Sequence, residues 1–180
     1  MRRDQLEHAI RAVTDILGED AVIVIGSQSV LGSYEVDQLP PVATLSVEVD
    51  VLPLDDPTEE KADRIDGAIG EGSSFQELHG FYVQGVGQRT ASLPDGWRDR
   101  LVPVASDATR GRTGLCLEIH DLCISKLVAD RDKDRAFCAA VIEHGLASVT
   151  VLRARLDATD VARDVRRRIE QRLDQAARIS

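Results

Sequence analysis

The sequence predicts an α+β protein in which a layer of strands and helices is followed by a helical carboxy-terminal part. Two strands rich in β-branched residues occur early, three short strands follow between 80 and 119, and the pattern beyond His120 is helical throughout. The composition, 43% hydrophobic and 29% charged over 180 residues, is that of an ordinary globular domain. We expect residues 1–119 to form the α/β core and residues 120–180 to pack on it, as one compact unit.

The first half of the chain alternates helices with strands. Apolar residues recur at helical spacing from Leu6 to Leu17, and Gly18 follows as a helix stop. The proline pair at 40–41 marks the stretch 34–44 as a connection, and Pro53 closes the second strand. In order, we expect a helix ending before Gly18, a strand over 21–25, a short helix over 27–33, a strand over 44–52, a helix over 58–70 and a loop over 71–74.

The second half contains short strands and then helices. Residues 81–86, 101–106 and 115–119 have strand character, and two segments rich in turn-forming residues separate them. Helical patterns then cover 121–129, 132–144, 148–157 and 160–178.

Charge and cysteine content narrow the classes of function. A net charge of −9, with a pI near 4.9, argues against broad non-specific binding of nucleic acid. Arginines are concentrated after residue 150; they fit either a local RNA-binding face or a solvated helix face, since acids are mixed among them. The three cysteines lack metal-binding spacing, which favours reduced thiols in the cytoplasm, and no apolar run is long enough to cross a membrane.

Two acids on the second strand form the first candidate site. Glu48 and Asp50 are one residue apart, so in an extended strand both carboxylates point to one face while Val47, Val49 and Val51 point to the other. Paired carboxylates in an apolar strand repel each other, and a divalent cation such as Mg²⁺ compensates for this. The alternative is an exposed acidic pair on an edge strand.

A Gly-Ser turn after the first strand forms the second candidate site. Gly26 allows a close approach of the backbone to a phosphate, and the hydroxyl and N–H of Ser27 can donate to phosphate oxygens. The turn lacks the GxxxxGK[ST] pattern of a P-loop. The alternative is an ordinary turn between a strand and a helix.

The third candidate site is a charged junction between two predicted helices. Lys126 stands among apolar neighbours, and Arg131 and Asp134 follow in a run of alternating charges. Lys126 and Arg131 fit phosphate oxygens, with Asp134 positioning a base or one of these cations. The alternative is a solvated junction with local ion pairs. Glu118, in the predicted last strand, is a candidate third carboxylate or else an exposed strand acid.

These motifs, in this order, resemble the nucleotidyltransferase fold of the DNA polymerase β superfamily. The turn pattern hG[GS] is matched by Ile25-Gly26-Ser27, and the strand pattern [DE]h[DE]h by residues 48–51. The downstream block from Lys126 to Asp134 resembles that of small bacterial nucleotidyltransferase-like proteins akin to the AbiEii toxins. The gap between turn and acids is longer than is usual in the superfamily, which predicts an inserted loop around the proline pair.

The resemblance implies a mixed β-sheet with flanking helices and an enzyme that transfers a nucleoside monophosphate from an NTP to a hydroxyl. Glu48 and Asp50 would hold Mg²⁺, and Ser27 with Lys126 and Arg131 would hold the triphosphate. Toxins of this kind are thought to modify the 3′ end of tRNA and to be restrained by an antitoxin protein. Transfer to a protein or small molecule, and a non-catalytic binding protein with the same fold, are the alternatives.

Overall fold

A computed structural model describes residues 1–178 and has at its centre a five-stranded mixed sheet. The strands are β1 (Ala21–Val24), β2 (Glu48–Leu52), β3 (Tyr82–Gly85), β4 (Val102–Val104) and β5 (Thr113–Cys116). They lie in the order β3-β2-β1-β5-β4. The pairs β1–β5 and β2–β3 are parallel, whereas β1–β2 and β4–β5 are antiparallel.

Seven α-helices surround this sheet in the described part of the chain, and they confirm the predicted α+β class with its helical carboxy-terminal part. They are α1 (Arg3–Leu17), α2 (Glu60–Ile69), α3 (Ser74–His79), α4 (Ile119–Ala129), α5 (Asp132–Glu143), α6 (Val149–Asp157) and α7 (Arg163–Ala176). Helix α3 follows the predicted loop and was not expected. At the start of α3, the Ser73 side chain accepts a hydrogen bond from the backbone amide of Gln76. Gly80, in the left-handed region, ends the helix.

The core lies between the sheet and the helices, and it includes residues of α1 and of the carboxy-terminal helices. Helix α1 buries Leu6, Ile10 and Val13 completely and contacts α2, β1 and β5. Gly114 on β5 leaves room for Ile10, because a Cβ there would lie 2.3 Å from Ile10 Cδ1. Helix α4 contacts α5, α6 and α7, which builds the carboxy-terminal helices around a single central helix.

Strands β2 and β5 differ most from their predicted bounds. Strand β2 begins at Glu48 rather than at 44, because the proline pair starts a 3-10 helix (Pro41–Thr44) and the Ser46 hydroxyl then bonds the Glu48 backbone. Strand β5 ends at Cys116, because Glu118 caps α4 instead of extending the strand. The division of the chain near residue 119 stays a prediction, and residues 179–180 lie outside the described part.

Two further observations concern the cysteines and the helices. All three cysteines are buried as free thiols, as expected. Within residues 1–178, no helix combines the length and apolar character that crossing a bilayer would require.

Candidate active site

Strand β2 presents the two acids on one face of the sheet. Val49 and Val51 are completely buried on the opposite face, which fixes the direction of the strand's pleat. Glu48 and Asp50 are two positions apart along the strand, roughly 6.6 Å, with Val49 between them. The Asp50 carbonyl accepts a hydrogen bond from the Ile25 amide at 2.9 Å, which holds the acid strand against the end of β1. Both acids line a cavity of about 340 Å³.

The Asp50 carboxyl is the electrostatically perturbed group of this cavity. Burial and the neighbouring Glu48 carboxylate raise its pKa from 3.8 to about 6, against the opposing effect of nearby cations. At neutral pH the group is ionised at a substantial cost in free energy. Binding of a cation next to this carboxylate would therefore be favourable.

Gly26 is required where β1 turns towards the acids. Its φ of +61° lies in the left-handed region, and a Cβ at this position would lie 1.8 Å from Asp50 Oδ2. The turn then enters a 3-10 helix (Ser27–Gly32), and the Ser29 hydroxyl donates to the Gly26 carbonyl at 2.9 Å. The glycine thus lets the Asp50 carboxylate lie directly against the backbone of the turn.

Lys126 reaches this turn from helix α4, 99 residues further along the chain. Its ammonium group donates to Ser27 Oγ at 2.9 Å and to Asp134 Oδ1 at 3.0 Å. It also lies 4.8 Å from the centre of the Phe137 ring, a cation–π contact. The side chain is only 8% exposed, so this lysine points into the cavity rather than out to solvent.

Asp134 lies behind the cavity and holds its two main cations. Its carboxylate is completely buried and accepts hydrogen bonds from Lys126 and from Arg131 Nε at 2.6 Å. Burial alone would raise the pKa of Asp134, but the hydrogen bonds and the positive charges of Arg131 and Lys126 together outweigh it and keep that pKa below its ordinary value. Arg131 remains 62% exposed and lines the cavity with its guanidinium.

The structure brings seven of the eight sequence-predicted candidate site residues together. Six of them line the 340 Å³ cavity, and Asp134 supports two of the six from behind. The six are Gly26, Ser27, Glu48, Asp50, Lys126 and Arg131.

Five further residues line the cavity and were not predicted as site residues. Val42, Leu45 and Ser46 come from the inserted loop around the proline pair, which forms one wall of the cavity. Lys133 and Phe137 come from α5, where their i, i+4 spacing puts them on the same side of the helix. That spacing was visible in the sequence, whereas the fold of the inserted loop was not.

Glu118, the candidate third carboxylate, is engaged elsewhere. Its side chain accepts hydrogen bonds from the backbone amides of His120 and Asp121 and contacts His120 Nδ1 at 2.6 Å. It is a helix cap and does not line the cavity of the acid pair. The expectation that it stands in a strand was wrong.

The carboxy-terminal arginines are largely paired with acids of the same chain. Five of the eight arginines after residue 150 form ion pairs at 2.6 to 3.6 Å, which leaves less free positive charge for an RNA-binding face. The pairs are Arg153 with Asp174, Arg155 with Asp121, Arg166 with Asp157, and Arg168 and Arg172 with Asp130. Asp121 is completely buried and also binds Arg100, so these ions join helices to one another.

The donor set for a metal consists of the two carboxylates on β2. In the part of the chain that the structure describes, no group of three or more His, Cys, Asp or Glu side chains could hold an ion by itself. Two carboxylates nevertheless fit Mg²⁺, which is typically bound by one or two protein carboxylates while phosphate and water oxygens complete its shell.

Comparisons with known proteins agree with this geometry. The model of one family, described as a nucleotidyltransferase of unknown function (DUF6036), matches residues 4–176. Searches of curated proteins and of solved structures gave no match. Because the family model covers nearly the whole chain, including both acids and every cation of the cavity, the chain belongs to this family of nucleotidyltransferases.

Proposed function

We propose that the protein transfers a nucleoside monophosphate from an NTP to an acceptor hydroxyl, with Mg²⁺ held by Glu48 and Asp50. One observation carries the proposal: a pair of carboxylates and a cluster of cations line one cavity of about 340 Å³, with the cations close enough to lower the pKa of Asp50. Acids alone would suit a metal, and cations alone would suit any anion. The two together suit a metal–polyphosphate complex.

The residues of the acid pair fit the metal by their chemistry. Both offer hard oxygen ligands, and the pKa of Asp50, raised to about 6 by burial and by Glu48, reflects a negative charge without sufficient compensation. When bound, Mg²⁺ would neutralise phosphate charge and lower the pKa of the attacking hydroxyl.

The cations of the cavity would bind the triphosphate. Ser27 offers its hydroxyl, and Lys126 and Arg131 offer charged donors that Asp134 holds in place. Lys133 adds a further positive charge on the same wall. Holding the phosphates in a fixed orientation and neutralising their charge supplies most of the rate acceleration in transfers of this kind.

The reaction is an in-line displacement at the α-phosphorus. The acceptor oxygen forms a bond to phosphorus while the bond to the bridging oxygen of the β-phosphate breaks, and pyrophosphate leaves with that electron pair. The hydroxyl proton passes to water, because Glu48 and Asp50 would be occupied as ligands of Mg²⁺ and the pKa of about 6 belongs to Asp50 in the metal-free site.

The acceptor in this proposal is an RNA hydroxyl, with the 3′ end of tRNA as the first to test, in the cytoplasm. Buried free thiols support a reducing compartment. A toxin role, with an antitoxin protein as partner, rests on the motif resemblance alone. Its test is growth: expression of the wild-type chain should arrest cells, and the Asp50→Asn variant should not.

The activity is tested with α-³²P-labelled NTPs, Mg²⁺ and total RNA. We expect label in RNA for at least one nucleotide, and none with EDTA or with the Asp50→Asn variant. Label in protein or in a small molecule would show that the acceptor is not RNA, and would still support nucleotidyl transfer. Absence of transfer with all four nucleotides and every acceptor class would favour the non-catalytic alternative.

A further inference from the structure

The face of β2 that carries the acids continues beyond the cavity already described. Side chains two residues apart share a strand face, so Glu48, Asp50 and Leu52 form one row with a spacing of roughly 6.6 Å. Glu48 and Asp50 line the first cavity, Asp50 also lines a small middle one of about 80 Å³, and Leu52 lines a third of about 310 Å³. The middle cavity shares Asp50 with the first, and Ile25 and Ala91 with the third, so the three adjoin in one row that we call the groove.

The third cavity holds the single tryptophan of the chain. Trp97 begins a short 3-10 helix (Trp97–Arg100) and remains partly exposed. The guanidinium of Arg98 lies 4.7 Å from the centre of the indole. Gln88 adds an amide, and Leu93 adds an apolar wall. We name this cavity the Trp97 cleft.

In-line transfer fixes the side from which the acceptor must arrive. The attacking oxygen and the departing pyrophosphate lie on opposite sides of the α-phosphorus. Ser27 and Lys133 line the first cavity and not the middle one, whereas Lys126 and Arg131 line both, so the pyrophosphate would be held in the first cavity with the α-phosphate towards the middle one. The groove beyond Asp50 is thus the side available to the acceptor.

From this arrangement we propose that the Trp97 cleft is the acceptor subsite and takes the 3′-terminal nucleoside of an RNA. This inference rests on the proposed function and identifies its acceptor. The indole and the guanidinium are planar surfaces on which a base stacks, and Arg98 also suits the phosphate that precedes the terminal nucleoside. A volume of about 310 Å³ suits one nucleoside-sized group.

An aliphatic protein hydroxyl fits the cleft less well than a nucleoside does. A serine or threonine side chain offers neither a ring for Trp97 nor an anion for Arg98. The amide of Gln88 can form hydrogen bonds with the edge of a base, and a simple alcohol offers no such edge. An RNA acceptor is also compatible with the internal pairing of the carboxy-terminal arginines, because the cleft holds the end of the strand and needs no long basic surface.

Intrinsic fluorescence tests occupancy of the cleft without any catalysis, since Trp97 is the only tryptophan. A short single-stranded RNA with a free 3′ hydroxyl should quench the emission saturably in EDTA, in the wild type and in the Asp50→Asn variant alike. ATP alone, with or without Mg²⁺, should leave the emission nearly unchanged, because it occupies the other end of the groove. No quenching by RNA, or quenching by ATP alone, would overturn the assignment.

Steady-state kinetics of label transfer provide the second test. Trp97→Ala should lower kcat/KM for RNA roughly 5- to 150-fold, the range expected for loss of one base–aromatic stack, and leave KM for the NTP unchanged. Trp97→Phe retains a ring and should recover most of the activity. Arg98→Ala should raise KM for RNA, and the matched control Arg110→Ala should not, because Arg110 lies before β5 at the amino end of β1.

The outcomes separate this inference from the proposed function. Transfer to RNA that is equal in the wild type and the Trp97→Ala variant would overturn the acceptor subsite and leave the nucleotidyltransferase proposal intact. Saturable quenching by RNA in a protein that transfers nothing would support the cleft and contradict the activity. Label in protein, with no quenching by RNA, would overturn the RNA acceptor.

Discussion

The raised pKa of the Asp50 carboxyl predicts how the stability of the protein depends on pH, and this can be measured without substrate. This pKa is raised from 3.8 to about 6 by burial and by Glu48, so the folded protein binds this proton more tightly than the unfolded chain does. At about 1.4 kcal/mol per pKa unit, the ionised side chain costs the metal-free fold up to about 3 kcal/mol. Stability should fall as the pH rises from about 4 through 6 and then level off.

The Asp50→Asn variant removes this cost while retaining the shape of the side chain. At pH 7.5 in EDTA we expect the variant to be more stable than the wild type by up to about 3 kcal/mol. For a chain of this length the gain corresponds to roughly 6–12 °C in Tm. The advantage should shrink as the pH is lowered from 6 to about 4, because the folded wild-type carboxyl, with its pKa of about 6, becomes protonated over this range.

Urea unfolding at several pH values, followed by circular dichroism, measures the effect. The matched control is Asp15→Asn, which neutralises an exposed acid on α1 and should change the free energy of unfolding by less than about 0.5 kcal/mol. A variant no more stable than the wild type at pH 7.5, or a gain that does not depend on pH, would refute the electrostatic description of the acid pair.

Three further substitutions test the remaining parts of the site. Gly26→Ala should abolish transfer and destabilise the fold, because the added Cβ collides with Asp50 Oδ2 at a positive φ; label transfer and Tm measure this, and an active, stable variant would contradict it. Lys126→Met retains the aliphatic stem and should weaken NTP binding about tenfold or more, as measured by calorimetry; unchanged affinity would remove the lysine from the triphosphate site. Asp134→Asn should cost about 3 kcal/mol in urea unfolding and lower kcat/KM even though the cavity becomes more positive, because two cations lose their positions; higher activity would show that charge alone matters.

The sequence predicted the local parts of this site because its signals are local. The i, i+2 spacing of Glu48 and Asp50 sets their common face, and a glycine before a polar turn marks the end of β1. The junction of α4 and α5 was visible as a run of charges. That Lys126 would reach Ser27, 99 residues away, followed from the motif resemblance and from no periodicity in the chain.

What the sequence could not predict depends on tertiary contacts. Glu118 continues an alternating pattern, and only the start of α4 turns its carboxylate into a cap. The arginines of α6 and α7 look like a basic face until the fold supplies Asp121 and Asp130 as their partners. Likewise, the segment 93–97 indicated only a turn, and its packing beside Leu52 creates the Trp97 cleft.

The acids and cations that line the first cavity imply that metal and nucleotide help each other to bind. Without metal, Glu48 and Asp50 repel a triphosphate that the cations attract, so the two effects oppose each other within one cavity. Neutralising the acids with Mg²⁺ leaves the attraction unopposed, and by linkage the nucleotide must tighten metal binding by the same factor.

Comparing two proteins in the same solutions isolates this coupling from the formation of MgATP itself. Calorimetry with ATP in EDTA should show tighter binding to the Asp50→Asn variant than to the wild type, because one repelling charge is gone. At saturating Mg²⁺ the order should reverse, because the variant has lost a metal ligand. Equal enhancement by Mg²⁺ in both proteins would mean that the acid pair takes no part in binding the metal–nucleotide complex.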